Sequence, residues 1–218
     1  MPRTAKLVTE LVGTFIFLSV IALSGAAGSL APLAIGAALT AMVYMGGHIS
    51  GAHYNPAVSF GIFLRRKMTA VEMLTYWAAQ LIGAVLAFVF GDLVSGHSPG
   101  IHPGDKIDIF QALAVEILFT AALVLVILNV AFTKALQGNS FYGIAIGFTI
   151  AAAIFVGGPI SGGAYNPAVG VGATLGSAMY AGGGWSDAWL YVVGPLIGAA
   201  IGSAIHGIQT GRDQASDP

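Results

Sequence analysis

Two copies of the tripeptide Asn-Pro-Ala have the side chains and the spacing to act on a polar solute. They consist of Asn55, Pro56, Ala57 and of Asn166, Pro167, Ala168. An asparagine amide donates hydrogen bonds, and asparagine followed by proline is a favourable start for a helix. Each helix N-terminus adds a positive partial charge of roughly +0.5. Two such sites facing one passage would bind uncharged polar solutes. The alternative is that each asparagine only caps its own helix.

The segments around these tripeptides are repeated as well. Residues 48–58 recur as residues 159–169, which lie 111 positions later. Glu10 has a counterpart in Glu116, and Tyr76 has one in Tyr191. Because the repetition includes the flanking segments, it indicates two related halves rather than a chance match.

The remaining reactive side chains do not form a recognisable catalytic or metal site. The histidines are His48, His53, His97, His102 and His206. They lack ligand spacing to acids, and no Ser, His and acid set gathers around a nucleophile. The absence of cysteine excludes disulfides and thiolate metal sites. We predict no enzyme activity, no metal and no cofactor. A solvated loop is expected at 96–104, where a metal or pH response of His97 and His102 is the alternative.

The composition is that of a membrane protein. Of the 218 residues, 56% are apolar and 8% are charged, whereas about a quarter are charged in soluble domains. Six apolar runs are long enough to cross a hydrocarbon core of about 30 Å. They lie near residues 7–27, 31–47, 71–94, 109–132, 141–158 and 186–208. The net charge of −1 leaves no basic patch for nucleic acid.

Two short segments are predicted to enter the membrane without crossing it. Gly and Ser residues before each asparagine interrupt a helix, and a new helix from Asn55 to Arg65 would rise only about 16 Å, half a membrane. Irregular backbone at that depth must be buried in protein or line a wet cavity. Each half has three spans, an odd number, so the halves are inverted and their short helices meet near the midplane.

Basic residues predict the orientation, since short loops rich in Lys and Arg stay in the cytoplasm. With both termini cytoplasmic, one basic residue, Lys106, is external. The others are on the inside: Arg3, Lys6, Arg65, Arg66, Lys67, Lys134 and Arg212. We therefore predict a multi-pass protein of the cell (inner) membrane, surrounded by the lipid bilayer.

Together these motifs resemble the aquaporin (major intrinsic protein) family over nearly the whole chain. The resemblance is carried by the paired Asn-Pro-Ala boxes, by residues 9–15 (TELVGTF), by residues 50–53 (SGAH) and by Gly194-Pro195. It implies an all-α membrane protein with six transmembrane helices plus two re-entrant half-helices in two inverted repeats, usually a homotetramer with one pore per protomer. The single membrane domain 1–218 would divide into repeats of about 1–95 and 108–210, a loop at 96–107 and a tail at 211–218.

The resemblance also bears on the two intramembrane acids. Buried carboxylates often serve proton relays, which is one interpretation of Glu10 and Glu116. The family suggests instead that each supports the re-entrant loop of its own half through hydrogen bonds, with His48 as a possible partner in the first half.

The chain departs from the family at the narrowest ring of the pore, where the family normally has an arginine and this chain has Val169. Counting along the sequence places the other ring positions at Ile35, Ile154 and Gly163, with Ala153 or Phe155 replacing Ile154 if the alignment shifts by one. Loss of a guanidinium removes bulk and donors, which predicts a wider, aliphatic constriction.

This ring favours a passive channel for small uncharged solutes, namely glycerol-like polyols, urea-like molecules or undissociated metalloid species, together with water. Three alternatives remain at this point: a channel mainly for water, a protein that does not conduct, and a secondary transporter, because inverted repeats with broken segments also describe transporters.

Overall fold

The computed structural model of the chain describes residues 1–96, 100–180 and 184–211, and the regular structure within them is helical. The α-helices are α1 (Arg3–Ala22), α2 (Ala31–Ser50), α3 (Pro56–Leu64), α4 (Ala70–Ser95), α5 (Ile109–Phe132), α6 (Tyr142–Ser161), α7 (Pro167–Tyr180) and α8 (Leu190–Thr210). Short 3₁₀ segments cover Ser24–Leu30 and Lys134–Leu136. His97, Arg212 and the tail beyond Gly211 lie outside the described residues, so the expectations placed on them stay predictions.

Six of these helices are long and apolar enough to cross a membrane, and α3 and α7 are the two half-helices. The predicted all-α membrane fold is confirmed. The ends of three helices differ from the predicted spans by three to five residues. α1 ends at Ala22 rather than at residue 27, and a 3₁₀ segment follows in which Gly28 has a non-helical φ of 53°. α2 and α6 continue three residues further than predicted, because each ends only where a glycine turns the backbone.

The inverted halves pack in the same way. In the first half α1 lies against α4, where a Cβ added to Gly83 would approach the carbonyl oxygen of Leu11 to 2.7 Å. In the second half α5 lies against α8, and Gly198 approaches the carbonyl oxygen of Ile117 in the same manner. Small residues permit this close contact between membrane helices.

The two halves are joined through α2 and α6. Gly36 of α2 lies directly on Gly147 of α6, and an added Cβ at Gly36 would be 2.6 Å from the carbonyl oxygen of Gly147. The two residues occupy equivalent positions in the repeats, so the crossing lies on the pseudo-twofold axis. The half-helices run away from this centre in opposite directions: α3 ends beside the start of α4, and α7 ends shortly before α8 begins.

The ends of the bundle differ in charge. We call the end at which α1 begins and α8 finishes the basic end; it contains Arg3, Lys6 and the α3–α4 connection with Arg65, Arg66 and Lys67. The other end, called the opposite end, contains the α5 start and the α4–α5 connection. α4 and α5 each begin with a capping box, Thr69 with Glu72 at the basic end and Asp108 with Gln111 at the opposite end.

Candidate functional site: a channel between the half-helices

Each half-helix is preceded by the same left-handed turn. α2 ends at Gly51 with φ 91° and α6 ends at Gly162 with φ 93°, and Tyr54 and Tyr165 both adopt φ 48°. A side chain other than glycine in this region costs on the order of 1–3 kcal/mol. The turns therefore need support from their surroundings.

Glu10 gives that support in the first half. Its Oε1 accepts hydrogen bonds from Ser50 Oγ at 2.6 Å and from the backbone N–H of His53 at 3.0 Å. Its Oε2 accepts from the N–H of Tyr54 at 2.8 Å and from Gln80 Nε2 at 2.8 Å. The carboxylate is fully buried. It thereby satisfies loop N–H groups that have no partner within a helix.

Glu116 has the equivalent place in the second half. Its Oε1 accepts from Ser161 Oγ at 2.7 Å and from the N–H of Ala164 at 3.0 Å, and its Oε2 accepts from the N–H of Tyr165 at 2.7 Å. It too is fully buried. Neither carboxylate is among the residues that line the cavity described below. The arrangement holds loops and does not form a proton pathway through the cavity.

His48 does not take the expected place beside Glu10. The four acceptor contacts of that carboxylate go to Ser50, His53, Tyr54 and Gln80, and the His48 side chain lines a separate space at the basic end. The physical reason is the rotation along α2: His48 precedes Ser50 by two residues, which turns its side chain by about 200° from the Ser50 side chain that reaches Glu10. Its expected pairing with Glu10 is replaced by the Gln80 amide of α4.

The two asparagines connect the loops to each other. Asn55 Oδ1 accepts from the N–H of Ala57 at 2.8 Å, and Asn55 Nδ2 donates to the carbonyl oxygen of Tyr165 at 2.9 Å. Asn166 Oδ1 accepts from the N–H of Ala168 at 2.9 Å, and its Nδ2 donates to the carbonyl oxygen of Tyr54 at 3.0 Å. Each asparagine thus caps its own half-helix and binds the opposite loop. An amide nitrogen has two N–H groups, so one per side chain remains for a solute.

A narrow cavity runs past both asparagines within the single chain. Among its lining residues, the polar side chains are those of His53, Asn55 and Asn166, and the others are apolar or glycine. The cavity volume is about 20 Å³, which is room for about one water molecule. The cavity therefore has room for about one water-sized molecule beside the donors of the two asparagines.

Comparison with known proteins decides the family. A model of the major intrinsic protein family matches residues 2–206. The chain belongs to the major intrinsic protein family. It is 38% identical over 171 residues to the probable aquaporin TIP3-2 of Oryza sativa subsp. japonica, an alignment that covers 78% of this chain and 63% of that protein. It is 40% identical over 177 residues to aquaporin NIP1-1 of the same organism, covering 79% of this chain and 60% of that protein.

A solved structure gives the same result for the fold. The aquaglyceroporin from Plasmodium falciparum superposes with a TM-score of 0.72 over 94% of each chain, at 22% sequence identity. The two plant aquaporins are longer than the segment matched here, and the matched segment spans about three fifths of each of them.

In this member of the major intrinsic protein family, four aliphatic or glycine positions line the cavity on the side of the opposite end. Ile35, Ile154, Gly163 and Val169 all belong to the lining. The structure decides the uncertain position on α6, because Ile154 lines the cavity while Phe155 is 49% exposed on the outer surface. The carbonyl oxygen of Ala153 accepts from the Tyr165 hydroxyl instead.

The cavity is narrow although position 169 is a valine rather than an arginine. The branched Ile35 and Ile154 side chains and the ring of Phe17 from α1 all face the space. Absence of one bulky side chain therefore does not by itself make a wide lumen, because neighbouring residues fill the room. The predicted ring residues are among the residues that line the cavity, and sequence position did not indicate that Phe17 lines it with them.

A wider vestibule opens at the basic end. It has a volume of about 360 Å³, and His48, Gly51 and Tyr142 are among its lining residues. It shares the lining residues Ala52, Val58, Ile127 and Ile146 with the narrow cavity, so the two spaces are adjacent. In both spaces the lining residues come from elements other than α4 and α8.

Sequence reasoning gave no role to two paired tyrosines. Tyr76 donates its hydroxyl to the carbonyl oxygen of Ser50 at 2.7 Å, and Tyr191 does the same to Ser161 at 2.6 Å. These bonds hold the last turns of α2 and α6, whose carbonyls would otherwise lack partners. The signal was present, since both tyrosines and both serines recur in the repeats.

Proposed function

We propose that this protein is a passive channel for small uncharged solutes, namely glycerol-like polyols, urea-like molecules or undissociated metalloid species, and for water. The observation that carries the proposal is the narrow cavity inside one chain with both asparagines in its wall. Membership of the major intrinsic protein family and the aquaporin names of the plant relatives agree with it.

The chemistry of the cavity wall explains why the solute is uncharged. Among the residues that the structure describes, no Asp, Glu, Lys or Arg side chain lines the cavity, so an ion would lose its hydration without gaining a counter-charge. Cations also meet the positive ends of α3 and α7, which both begin at the asparagines. A neutral solute with hydroxyl or amide groups loses less hydration free energy than an ion. It can also accept hydrogen bonds from the free asparagine N–H groups.

Selectivity among neutral solutes is assigned to the ring of Ile35, Ile154, Gly163 and Val169. Three branched aliphatic side chains give a solute with a C–H face a favourable contact, while water in single file finds few partners there. This is the basis for proposing that polyols and similar molecules pass in preference to water.

A channel mainly for water is the second candidate, and one observation favours it. The cavity volume of about 20 Å³ fits one water, and a larger solute has to displace the ring side chains. The two candidates differ in a single measurable quantity, the ratio of solute permeability to water permeability.

The membrane arrangement is proposed from the charges. The cluster Arg65, Arg66 and Lys67 with Arg3 and Lys6 at the basic end supports a cytoplasmic location of that end and of both termini, in a cell (inner) membrane. The proposed assembly is a homotetramer with one channel per protomer. Native mass spectrometry of the purified protein would test the stoichiometry, and a monomer as the sole species would contradict it.

Purified protein in proteoliposomes would test the function. Stopped-flow light scattering should show water, glycerol and urea fluxes above those of empty vesicles, and arsenite uptake can be followed separately. The flux should rise in proportion to the concentration gradient of the solute and should not depend on sodium or proton gradients. Saturation together with dependence on an ion gradient would indicate a transporter and overturn the proposal.

A further inference from the structure

The end of half-helix α3 is attached to α8 by a hydrogen bond whose direction fixes the protonation of a histidine. Arg65 Nε donates to His206 Nδ1 at 3.1 Å, and Arg65 Nη2 donates to Thr210 Oγ1 at 3.4 Å. A guanidinium has donors only, so Nδ1 of His206 must be without a proton. The ring is therefore neutral, with its proton on Nε2.

The second ring nitrogen continues the chain of bonds into α5. His206 Nε2 lies 3.2 Å from Thr133 Oγ1, which it reaches as donor. The Thr133 hydroxyl is then left to donate to Asn129 Oδ1 at 3.4 Å, and Asn129 Nδ2 donates to Gln209 Oε1 at 3.1 Å. Every donor in this series points away from Arg65. The series exists in this direction only while His206 is neutral.

The site is built rather than incidental. His206 is 2% exposed, although it lies in the last turns of α8 near the basic end. Gly207 makes room for the guanidinium, because a Cβ there would lie 2.7 Å from Arg65 Nη1. Within the described residues, the charged groups that act on His206 are Arg65 and Lys67, and both are positive. Thr133, Thr210 and Asn129 complete the surroundings and are neutral.

A second proton on His206 would break this attachment and replace it with repulsion. Nδ1 could no longer accept from Arg65, and two cations would face each other without a carboxylate among the described neighbours. The repulsion acts between α3, through Arg65, and α8, through His206.

The position of α3 determines what that repulsion does. α8 lies behind α3, where Ser203 Oγ donates to the carbonyl oxygen of Gly61 at 2.9 Å. On the front of α3, Val58 lines the narrow cavity and Val58 and Ile62 line the vestibule. Displacement of α3 away from α8 therefore moves these two side chains into the passage.

We propose that neutral His206 is a positioning residue for α3, and that its protonation from the basic end narrows the channel. Imidazole is the side chain that ordinarily changes charge between about pH 5 and about pH 8. Burial of the ring and repulsion from Arg65 and Lys67 oppose the second proton, so the response of His206 falls at the acid end of that range or below it. Permeability is high when the ring is neutral and falls several-fold when it is charged.

The test compares pH profiles in proteoliposomes containing the full chain. Water permeability of the wild type is expected to fall several-fold when the pH is lowered from about 8 to below about 5, because burial and the repulsion from Arg65 and Lys67 delay protonation of His206 to the acid side of the ordinary imidazole range. His206→Asn retains an acceptor near the Nδ1 position and cannot be protonated. It should therefore keep the high permeability of the alkaline wild type at both pH values. Arg65→Gln, which removes the repulsion, should also flatten the profile.

Three outcomes would overturn the proposal. The first is a wild type without a pH response. The second is a His206→Asn variant that keeps the response of the wild type. The third is a His206→Asn variant whose permeability is lowered equally at all pH values, which would indicate a structural role alone. His48→Gln is the discriminating control, because His48 lines the vestibule at the same end. If the response disappears in His48→Gln and survives in His206→Asn, His48 is the responsible group. Monodisperse elution of each variant before reconstitution excludes a folding defect.

Discussion

Asn55 and Tyr165, which lie 110 residues apart, meet at the centre of the molecule, where Asn55 Nδ2 donates to the Tyr165 carbonyl oxygen at 2.9 Å. The equivalent bond in the other repeat, related by the pseudo-twofold axis, runs from Asn166 to Tyr54 at 3.0 Å. Because each loop is held by the asparagine of the other half, the two half-helices are fixed relative to each other. The donors that remain on the asparagines are thereby held at one level of the passage.

Replacement of Asn55 by Asp should weaken this centre and admit cations. Aspartate can still cap α3 but has no N–H for the Tyr165 carbonyl, and an unpaired buried polar group costs about 1–3 kcal/mol. Its carboxylate also offsets the positive ends of the half-helices. We expect a lower unfolding temperature and measurable sodium or potassium flux in dye-loaded vesicles.

The equivalent variant in the second repeat, Asn166→Asp, gives an internal check, since the two residues make equivalent bonds. It should change stability and ion flux in the same direction. Cation flux at the level of the wild type in both variants would mean that the asparagines do not face the conducting passage.

Replacement of Val169 by Arg should lower glycerol permeability sharply and water permeability much less. Val169 lies in the wall of a cavity of about 20 Å³, so a guanidinium fills the ring and supplies donors that suit water. Val169→Leu is the matched control, because it adds bulk without donors or charge. Stopped-flow measurements at equal reconstitution give the ratio. An unchanged ratio in Val169→Arg would place the selectivity ring elsewhere.

Glu10→Gln should lower the unfolding temperature more than Glu116→Gln. Both oxygens of Glu10 accept two donors each, whereas Oε2 of Glu116 accepts one, from Tyr165. In Glu10→Gln the new NH₂ group replaces an oxygen that accepts two hydrogen bonds, so two donors lose their acceptor. In Glu116→Gln the NH₂ group can take the place of Oε2, where one donor loses its acceptor. Each donor left unpaired costs about 1–3 kcal/mol. Thermal unfolding followed by size-exclusion chromatography would give the order.

Glu72→Gln is the reference for that comparison. Glu72 lies at the surface of the basic end, 3.5 Å from Lys6, and a glutamine can retain its capping contacts with Thr69. Its unfolding temperature should stay close to that of the wild type. Equal losses for Glu10 and Glu116 would show that the additional Gln80 bond adds no stability.

Gly36→Ala should destabilise the protein, because the new Cβ would lie 2.6 Å from the Gly147 carbonyl oxygen at the crossing of α2 and α6. Rigid backbone on both sides prevents easy relief, and overpacking of this kind costs about 1–3 kcal/mol. Gly25→Ala is the control, since a Cβ at Gly25 meets nothing within 4 Å. If both variants unfolded at the temperature of the wild type, the close contact between α2 and α6 at Gly36 would not be required for stability.

Much of the fold could be predicted because its signals are local or repeated. Apolar runs of about 20 residues have no other stable environment than a membrane, and Asn before Pro starts a helix wherever it occurs. The duplication of residues 48–58 at 159–169 then implies two equivalent loops. The ends of α2 and α6 lie three residues beyond the apolar runs, because the helices continue after the runs end. The glycines at 51 and 162, which follow directly, turn the backbone and end the helices.

The sequence by itself determined the spans, the inverted repeats and the half-helices, because apolar composition and the repeated motif encode them locally. The ring positions were implied by the resemblance to the family rather than by composition. The tertiary structure alone decided which side chains meet: Gln80 rather than His48 at Glu10, Ile154 rather than its neighbours in the cavity wall, and Arg65 on His206 across 141 positions. Such contacts depend on the rotation and the depth of packed helices. One residue along a helix turns a side chain by about 100°, so small shifts that the sequence does not record choose the partner.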